Sequence, residues 1–536
     1  QALLRGRFSG RCLVAGLLGS LLALQLTPWP ARSAERLEVS IDGIVLPLDV
    51  DDLVAWVSSS DDPRSELATW MQLLDSESRE GLSRLLVAPV LTRRRFGPQV
   101  LRSWAAHPRS EALGELIRLE GGEPVDSQQV LETLEQLLVN SAEVTTLDLL
   151  QALPGQQLRL DLDALVLASS RWRRQLKRHQ GLLQDLGREA LLSSSRAPET
   201  RSSNSSLAFQ QSQHPIRLPH RTRPLQVETW VPVDQRRDGL WLVFMPGLGG
   251  NPEHFHWLAR RVAGAGWPVA LLEHPGSDAA AVQALLQGRQ PFDGTRALEQ
   301  RLQDLAGVLR AQNDQRLPLT GERVVIAGHS LGALTALLAA GAKPQEGIGA
   351  RCRRALKDLP LTNLSRLLQC ELAEGKALRW GADSLEPAAV VGLNSLGSLV
   401  WAPGQPSRWP VPLLLLGGTL DLITPPLDEQ LGVFSALASH PSSRVVVVEG
   451  ASHFSPIRVG EPMAVQQNDD LFQLGEELVG RDPISVQAVI GVEIIDFLEA
   501  VAAGASGTES QHFSRGEVRW HRLNPETAAD LSARHQ

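Results

Sequence analysis

Val324-Val-Ile-Ala-Gly-His-Ser-Leu-Gly332 decides the fold: an aliphatic run passes directly into Gly-x-Ser-x-Gly and then into a helical stretch, Ala333 to Ala340. A strand that turns this sharply into a helix holds its serine in a strained backbone conformation, and only glycine at both flanking positions avoids collision. The hydroxyl then projects from the sheet edge, which makes Ser330 the candidate nucleophile. The competing reading of Ser330 is an ordinary helix N-cap. Outward from this segment, apolar runs alternate with helical stretches: Leu225 to Val231, Leu240 to Met245, Val269 to Glu273, Ala388 to Leu393, Val411 to Leu416 and Val445 to Val448. Unbroken Val, Leu and Ile imply strands buried on both faces. Residues 224–503 are therefore expected to be an α/β domain, a mostly parallel doubly wound sheet with helices on both sides, closed by a helix from Ile484 to Val501.

A serine hydroxyl is a poor nucleophile near neutral pH and needs a base, which in turn needs an orienting acid. Leu413-Leu-Leu-Leu-Gly-Gly-Thr-Leu-Asp421 is an apolar run ending in a glycine turn and a carboxylate, and Val445-Val-Val-Val-Glu-Gly-Ala-Ser-His453 ends in a small-residue loop and a histidine. Asp421 is the candidate acid and His453 the candidate base, both just past the carboxyl ends of strands, where open α/β sheets keep their sites. Asp421 also reads as a cap for the turn at Pro425, and His453 as a hydrogen-bonded loop histidine; Asp428 and Glu449 are the rival acids. An oxyanion needs backbone donors, and the loop Phe244-Met-Pro-Gly-Leu-Gly-Gly250 can supply one. Leu248 N–H and Leu331 N–H are the expected pair. A dinucleotide fingerprint would require glycine where Pro252 stands. His254 and His256 invite a metal reading, but two positions apart on a helix they diverge by ~200°, and no His-Glu-x-x-His occurs. Neither a metal nor any other cofactor is expected.

Composition narrows the rest. The chain has 536 residues and a formal net charge of −8, which gives no positive field for phosphate backbones and argues against nucleic acid as a partner. It contains no tyrosine, so mechanisms that need a phenol are excluded, and none of its lysines (177, 343, 357, 376) stands in a P-loop. Residues 1–34 have the layout of a secretory signal: Arg5, Arg7 and Arg11, an apolar run from Cys12 to Leu26, then Ala31-Arg-Ser33 before Glu35. The run is short of the ~20 residues a spanning helix needs, so an exported protein, periplasmic or extracellular, is expected over an uncleaved membrane anchor. Cleavage leaves Cys352 and Cys370, which an oxidising compartment allows to pair.

Residues 35–192 read as a mainly α-helical domain that opens with a hairpin, Leu37 to Ile41 and Ile44 to Leu48 around Asp42-Gly43. Helices follow at Glu66 to Leu74, after Asp62-Pro63; at Val130 to Leu138, after Asp126-Ser127; and from Leu160 to Leu192. Within the last, Arg171-Trp-Arg-Arg-Gln-Leu-Lys-Arg178 reads either as contact with an anionic surface or as a solvated face. The charges lie opposite Leu176 and Leu183, which favours the second while leaving peripheral membrane contact open. Residues 193–223 are the expected linker, polar and aperiodic to His214. The stretch 343–387 is expected to form a lid over Ser330, and 504–536 a flexible tail.

These residues resemble the α/β-hydrolase superfamily over about 225–500, and within it the branch of platelet-activating-factor acetylhydrolases and predicted dienelactone hydrolases. The resemblance rests on Pro246-Gly-Leu-Gly-Gly250, Glu273-His-Pro-Gly-Ser277, Gly328-His-Ser-Leu-Gly332 and Glu449-Gly-Ala-Ser-His-Phe454. The chain also resembles exported bacterial hydrolases that carry an N-terminal helical domain of unknown function, matched by residues 35–160. The lid cysteine pair of those proteins matches Cys352 and Cys370 and implies a disulfide. Dienelactone hydrolases use cysteine where this chain has Ser330, so that label does not carry over to the substrate. The resemblance implies a serine esterase or lipase-like hydrolase acting on a small-molecule or lipid ester through a Ser330–Asp421–His453 triad. A thioesterase or peptidase with the same residues is the alternative, and a non-catalytic envelope binding protein on a hydrolase scaffold is the alternative from another class.

Overall fold

The computed structural model describes most of residues 208–536, apart from 287–288, 291, 358–362, 374–385, 403–408, 438–439, 458–480, 506 and 536; before residue 208 it describes chiefly 36–41, 44–58, 117–119, 125–153, 157–161 and 177–187. The expected signal (1–34), the helix expected at 66–74 but for Leu67, and the start of the Arg171–Arg178 cluster lie outside the described residues. The described residues fall into two compact units, the first within 1–90 and 114–163, the second within 91–113 and 164–536.

In the first unit the expected hairpin is present, Arg36–Ile41 against Ile44–Asp49 in antiparallel register, Ile41 facing Ile44. Beside the helices Val50–Ser58, Ser127–Asn140 and Thr146–Ala152 there is more sheet than the periodicity suggests. Gln157–Asp161 runs parallel to Arg36–Ile41 and antiparallel to Ile117–Leu119, which completes a four-stranded sheet. Leu160 thus begins no helix. Glu38 and Arg159 face each other across two strands and form an ion pair at 2.6 Å, and this cross-strand pairing competes with helix formation in a segment whose Gln-Leu-Arg-Leu-Asp alternation also suits a strand. Asp126 caps the second helix through Gln128 N, and Thr145 with Asp148 forms a capping box on the third.

The second unit is built on one large sheet. Its strands are β1 (Phe209–Ile216), β2 (Leu225–Pro232), β3 (Leu240–Met245), β4 (Val269–Leu272), β5 (Arg323–His329), β6 (Ala389–Leu393), β7 (Leu413–Gly418), β8 (Arg444–Val448), β9 (Gln511–Arg515) and β10 (Val518–Leu523). Spatially they run β9-β10-β8-β7-β6-β5-β3-β4-β2-β1, with Ser193–Ser194 added outside β9. From β4 to β8 every pairing is parallel, and the flanking pairs are antiparallel. Both faces are buried: Trp241, Val243 and Met245 enter one apolar core while Leu240, Leu242 and Phe244 enter the other, which is why these strands lack a polar alternation. The helices are α1 (His256–Gly264), α2 (Ala279–Leu286), α3 (Gly294–Asn313), α4 (Leu331–Ala339), α5 (Ile348–Lys357), α6 (Ser365–Ala373), α7 (Val433–Leu437), α8 (Pro483–Ala502) and α9 (Pro525–His535). Chain order reverses direction between β3, β4 and β5, since β3 lies between the other two. Ligand sites in such sheets open at this switch point. Among the described residues no helix is long and apolar enough to cross a membrane.

Three expectations about boundaries are corrected. Residues 209–216, read as linker, are the edge strand β1, in register with β2 from Phe209–Pro232 to Ile216–Leu225; an edge strand exposed along most of its length has no apolar run to betray it. The helix at 177–187 belongs to the second unit and not to an N-terminal domain ending at 192, because His535 bonds Asp185 and lies against Gly181. The segment after Gly504 is no flexible tail. β10 adds antiparallel to β8, β9 to β10, and Trp520, Phe513 and Leu531 are buried. The buried Glu493 on α8 accepts from Trp520 Nε1 at 2.8 Å and from Arg522 Nε and Nη2 at 2.9 and 3.0 Å. The Arg and His of Val518-Arg-Trp-His-Arg-Leu523 hid this strand from a hydropathy reading.

In the expected lid stretch, α5 and α6 are joined by a Cys352–Cys370 disulfide with Cα atoms 5.4 Å apart, and the two cysteines pack with Ala355 against Leu399. The buried Glu429 accepts from Asn363 Nδ2, Ser365 Oγ, Gln369 Nε2, Ser398 Oγ, Gly397 N and Ser398 N. The described part of the insert therefore rests on the segment after β6 and on Pro426–Gly432, and among the described residues it makes no hydrogen bond to Ser330.

If β10 is integral to the sheet, Trp520→Ala should cost on the order of 3–5 kcal/mol, as for other fully buried aromatics. Urea unfolding of the full chain measures it; a loss below ~1 kcal/mol would detach the strand.

Candidate active site

Ser330 follows β5 at φ 52° and ψ −118°, a conformation that L residues rarely adopt. The flanking glycines have the steric role read from the sequence. A Cβ on Gly332 would run into the Met245 carbonyl, and one on Gly328 into the backbone of Gly332. Ser330 N donates to Leu393 O at 2.9 Å, tying the turn to β6, while its own carbonyl accepts from Ala333 N and Leu334 N and starts α4. The residue is largely buried, 8% exposed.

Asp421 and His453 come together after β7 and β8. His453 Nδ1 lies 3.0 Å from Asp421 Oδ2. The same oxygen accepts from Asn394 Nδ2 at 2.7 Å and Thr424 Oγ1 at 2.5 Å, and Oδ1 accepts from the backbone of Ile423 and Thr424 at 2.8 and 2.7 Å. Asp421 thus caps its turn with one oxygen and faces the imidazole with the other. Full burial by itself raises the carboxyl pKa, but the His453 interaction and the Thr424 bonds outweigh it and hold Asp421 at about 2. The carboxylate fixes the proton on Nδ1 and leaves Nε2 as acceptor. The rival acids are engaged elsewhere: Asp428 with Arg178 and Arg366, Glu449 with His521 and Arg519.

Asn394 and Thr424 were not found by sequence reading. Thr424 stands three residues after Asp421, a side-chain-capped turn spacing that was available as a signal; Asn394, at φ 46° just past β6, gave none. His329 also escaped notice. Its ring lies 4.8 Å from that of His453, and its Nε2 meets His453 O at 3.0 Å. That carbonyl–imidazole bond joins the end of β5 to the histidine loop and brings the Ser330 turn beside His453. Among the described residues no hydrogen bond links Ser330 Oγ to His453; such bonds often tighten only around substrate.

The loop after β3 lies against the same turn, since a Cβ on Gly247 would meet Ser330 Cβ at 3.0 Å. Gly249 N donates to Ser277 O and Gly250 N to Gly247 O. Among the described residues neither Leu248 N–H nor Leu331 N–H has an acceptor, so both expected oxyanion donors are unspent. His254 and His256 are engaged separately, the first accepting from Asn251 N and the second paired with Glu228.

Burial lowers the His329 pKa to about 3 and that of His274 to about 4. Below pH ~6.5 the unfolded chain takes up protons that these folded imidazoles refuse, so their contribution to stability is complete above that pH and is lost as pH falls toward their folded values. Asp421 adds a further loss between about 4 and 2. The unfolding free energy from urea titration should therefore fall steadily from pH 6.5 to 4, and His329→Asn should flatten that slope by up to ~1.4 kcal/mol per pH unit, one proton's worth. An unchanged slope would show that His329 titrates normally in the fold.

Comparison with known proteins agrees with this architecture. Residues 242–464 match the alpha/beta hydrolase family, and residues 33–161 match an alpha/beta hydrolase family of unknown function (DUF1400). No curated protein matches the chain. The matched stretch 242–464 runs from within β3 past His453 and includes Leu248, Ser330 and Asp421, and the sheet that carries them is mostly parallel with helices on both faces; over these residues the chain has the α/β-hydrolase fold.

Proposed function

We propose that the domain is a serine carboxylester hydrolase. The observation that carries this reading is the pairing of a strained serine turn with a buried carboxylate–imidazole pair, Asp421–His453, at the carboxyl ends of neighbouring strands. Ser330 Oγ attacks the ester carbonyl carbon as His453 Nε2 takes its proton, and Asp421 stabilises the imidazolium that results. The carbonyl oxygen, now an oxyanion, is received by Leu248 N–H and Leu331 N–H. Collapse expels the alcohol, protonated by His453, and leaves an acyl-Ser330 ester. Water, deprotonated by His453, attacks that ester and releases the acid. The resemblance of Pro246–Gly250 and Gly328–Gly332 to acetylhydrolases of lipid esters supports a lipid-like substrate. The Cys12–Leu26 run and the Cys352–Cys370 bond support action outside the cytoplasm.

Ser330→Ala should lower ester hydrolysis by on the order of 10⁶-fold, measured as turnover of p-nitrophenyl esters; substantial residual rate in a clean preparation would sink the assignment. Asp421→Asn should lose ~10⁴-fold with the fold intact, whereas Asp428→Asn should stay near wild type, and the reverse ranking would name a different acid. For the compartment, thiol titration of the exported, mature protein under denaturing conditions without reductant is expected to find no free thiol at Cys352 or Cys370. Two reactive thiols would reject it.

A further inference from the structure

On α3, far from the sequence motifs, Arg301 is fully buried, and all of its hydrogen bonds go to the two loops that flank the candidate oxyanion site. Nη1 donates to Pro246 O at 2.6 Å, Nη2 to Gly247 O at 2.9 Å and Nε to Ser277 Oγ at 2.8 Å. Ser277 Oγ in turn donates to His274 O, and Ser277 O accepts from Gly249 N, so the guanidinium braces the loop after β3 both directly and through the loop after β4. One of these contacts bears on the chemistry. The Gly247 carbonyl and the Leu248 N–H belong to one peptide unit, and that unit is trans, so the two groups point in opposite directions. Anchoring the carbonyl fixes where the N–H is aimed. A cation on the carbonyl oxygen also draws electron density from the amide and makes its N–H a stronger donor, as charge-assisted bonds are.

We propose that Arg301 is a positioning residue for ester hydrolysis, holding and polarising the Gly247–Leu248 peptide so that Leu248 N–H meets the oxyanion. The inference rests on the serine-hydrolase reading and goes beyond it by assigning a role to a residue outside the triad and the oxyanion loop. A neutral hydrogen-bonding side chain would suffice to hold a loop, whereas a buried guanidinium carries a desolvation cost. Asp304 one turn further along α3, itself bonded by Arg221, His220 and His274, offsets part of that cost. Burial lowers the Arg301 pKa to about 9, with Asp304 and Asp278 opposing the shift, so the side chain keeps its charge at neutral pH.

The test compares full-length wild type, Arg301→Met and Arg301→Lys on p-nitrophenyl acetate, with active sites counted by a fluorophosphonate label and folding checked by cooperative melting. A role in oxyanion binding is expected to lower kcat in Arg301→Met by on the order of 10²-fold, the loss seen when one oxyanion donor is removed, with KM unchanged within about threefold. Affinity for a trifluoromethyl ketone, whose adduct carries the oxyanion, should fall by a similar factor. Arg301→Lys, which keeps the charge but not the fork, should fall between the two. A folded Arg301→Met that keeps kcat and ketone affinity within threefold overturns the proposal. If Arg301→Met does not melt cooperatively, Ser277→Ala decides: it removes one of the three acceptors and is expected to lower kcat and ketone affinity together by roughly three- to tenfold, and no change in either overturns the proposal. A wild type that neither turns over esters nor takes the label overturns the esterase reading itself, a result distinct from active variants of an active enzyme.

Discussion

The turn at Ser330 is the constraint on which the candidate site depends. Its backbone conformation costs ~1–3 kcal/mol and persists because β3, β5 and α4 approach so closely that no side chain fits at residues 328 and 332. That proximity is also what brings the loop after β3 against the serine. Without the small residues α4 would retreat from the sheet, Gly247 would lose contact with Ser330, and the switch point between β3 and β5 would open into a cleft with nothing aimed across it. The loop geometry and the strain are thus one property, and the apolar burial of α4 in one of the two cores sustains it.

Buried carboxylates organise the remainder. Asp421, Asp304, Glu429 and Glu493 lie inside the second unit, and each is met by several donors. A buried charge that loses its partners costs several kcal/mol, so each acid confines the segments around it to one arrangement. Glu429 does this for the insert, which it ties through side chains of 363–369 to the backbone of 397–398. Glu493 does it for the C-terminal strands. Asp421 differs in that one of its partners is a titratable ring, and there the same saturation holds a proton in place.

Much of this was legible in the sequence because it was local. The segments 324–332, 413–421 and 445–453 each carry an apolar strand and its terminal side chain on one contiguous stretch, so both fold and candidate site could be read from runs of Val and Leu ending in Gly, Asp or His. What escaped reading was non-local. Arg301 is an unremarkable arginine on an amphipathic helix until α3 is laid along the loop after β3, and Asn394 acquires meaning only beside Asp421. β10 was hidden because Arg522 and His521, polar in sequence, are buried through pairing with Glu493 and Glu449. β1 was hidden for the opposite reason, having too little burial to leave a pattern.

The contact between the helix at 177–187 and His535 joins positions 350 residues apart in the chain, and β10 covers the edge of the strand that leads to His453. The unit is therefore closed by contacts between its two extremities. Contacts of such sequence separation form late, because the loop entropy must be lost before they reward it. Until residues 511–535 are in place, β8 presents an open sheet edge next to the His453 loop, a template for pairing with another chain. A nascent or clipped form would thus lose the support of its His453 loop and become adhesive at the same place, and the last hairpin and helix act as the stopper that separates a folded domain from an aggregate.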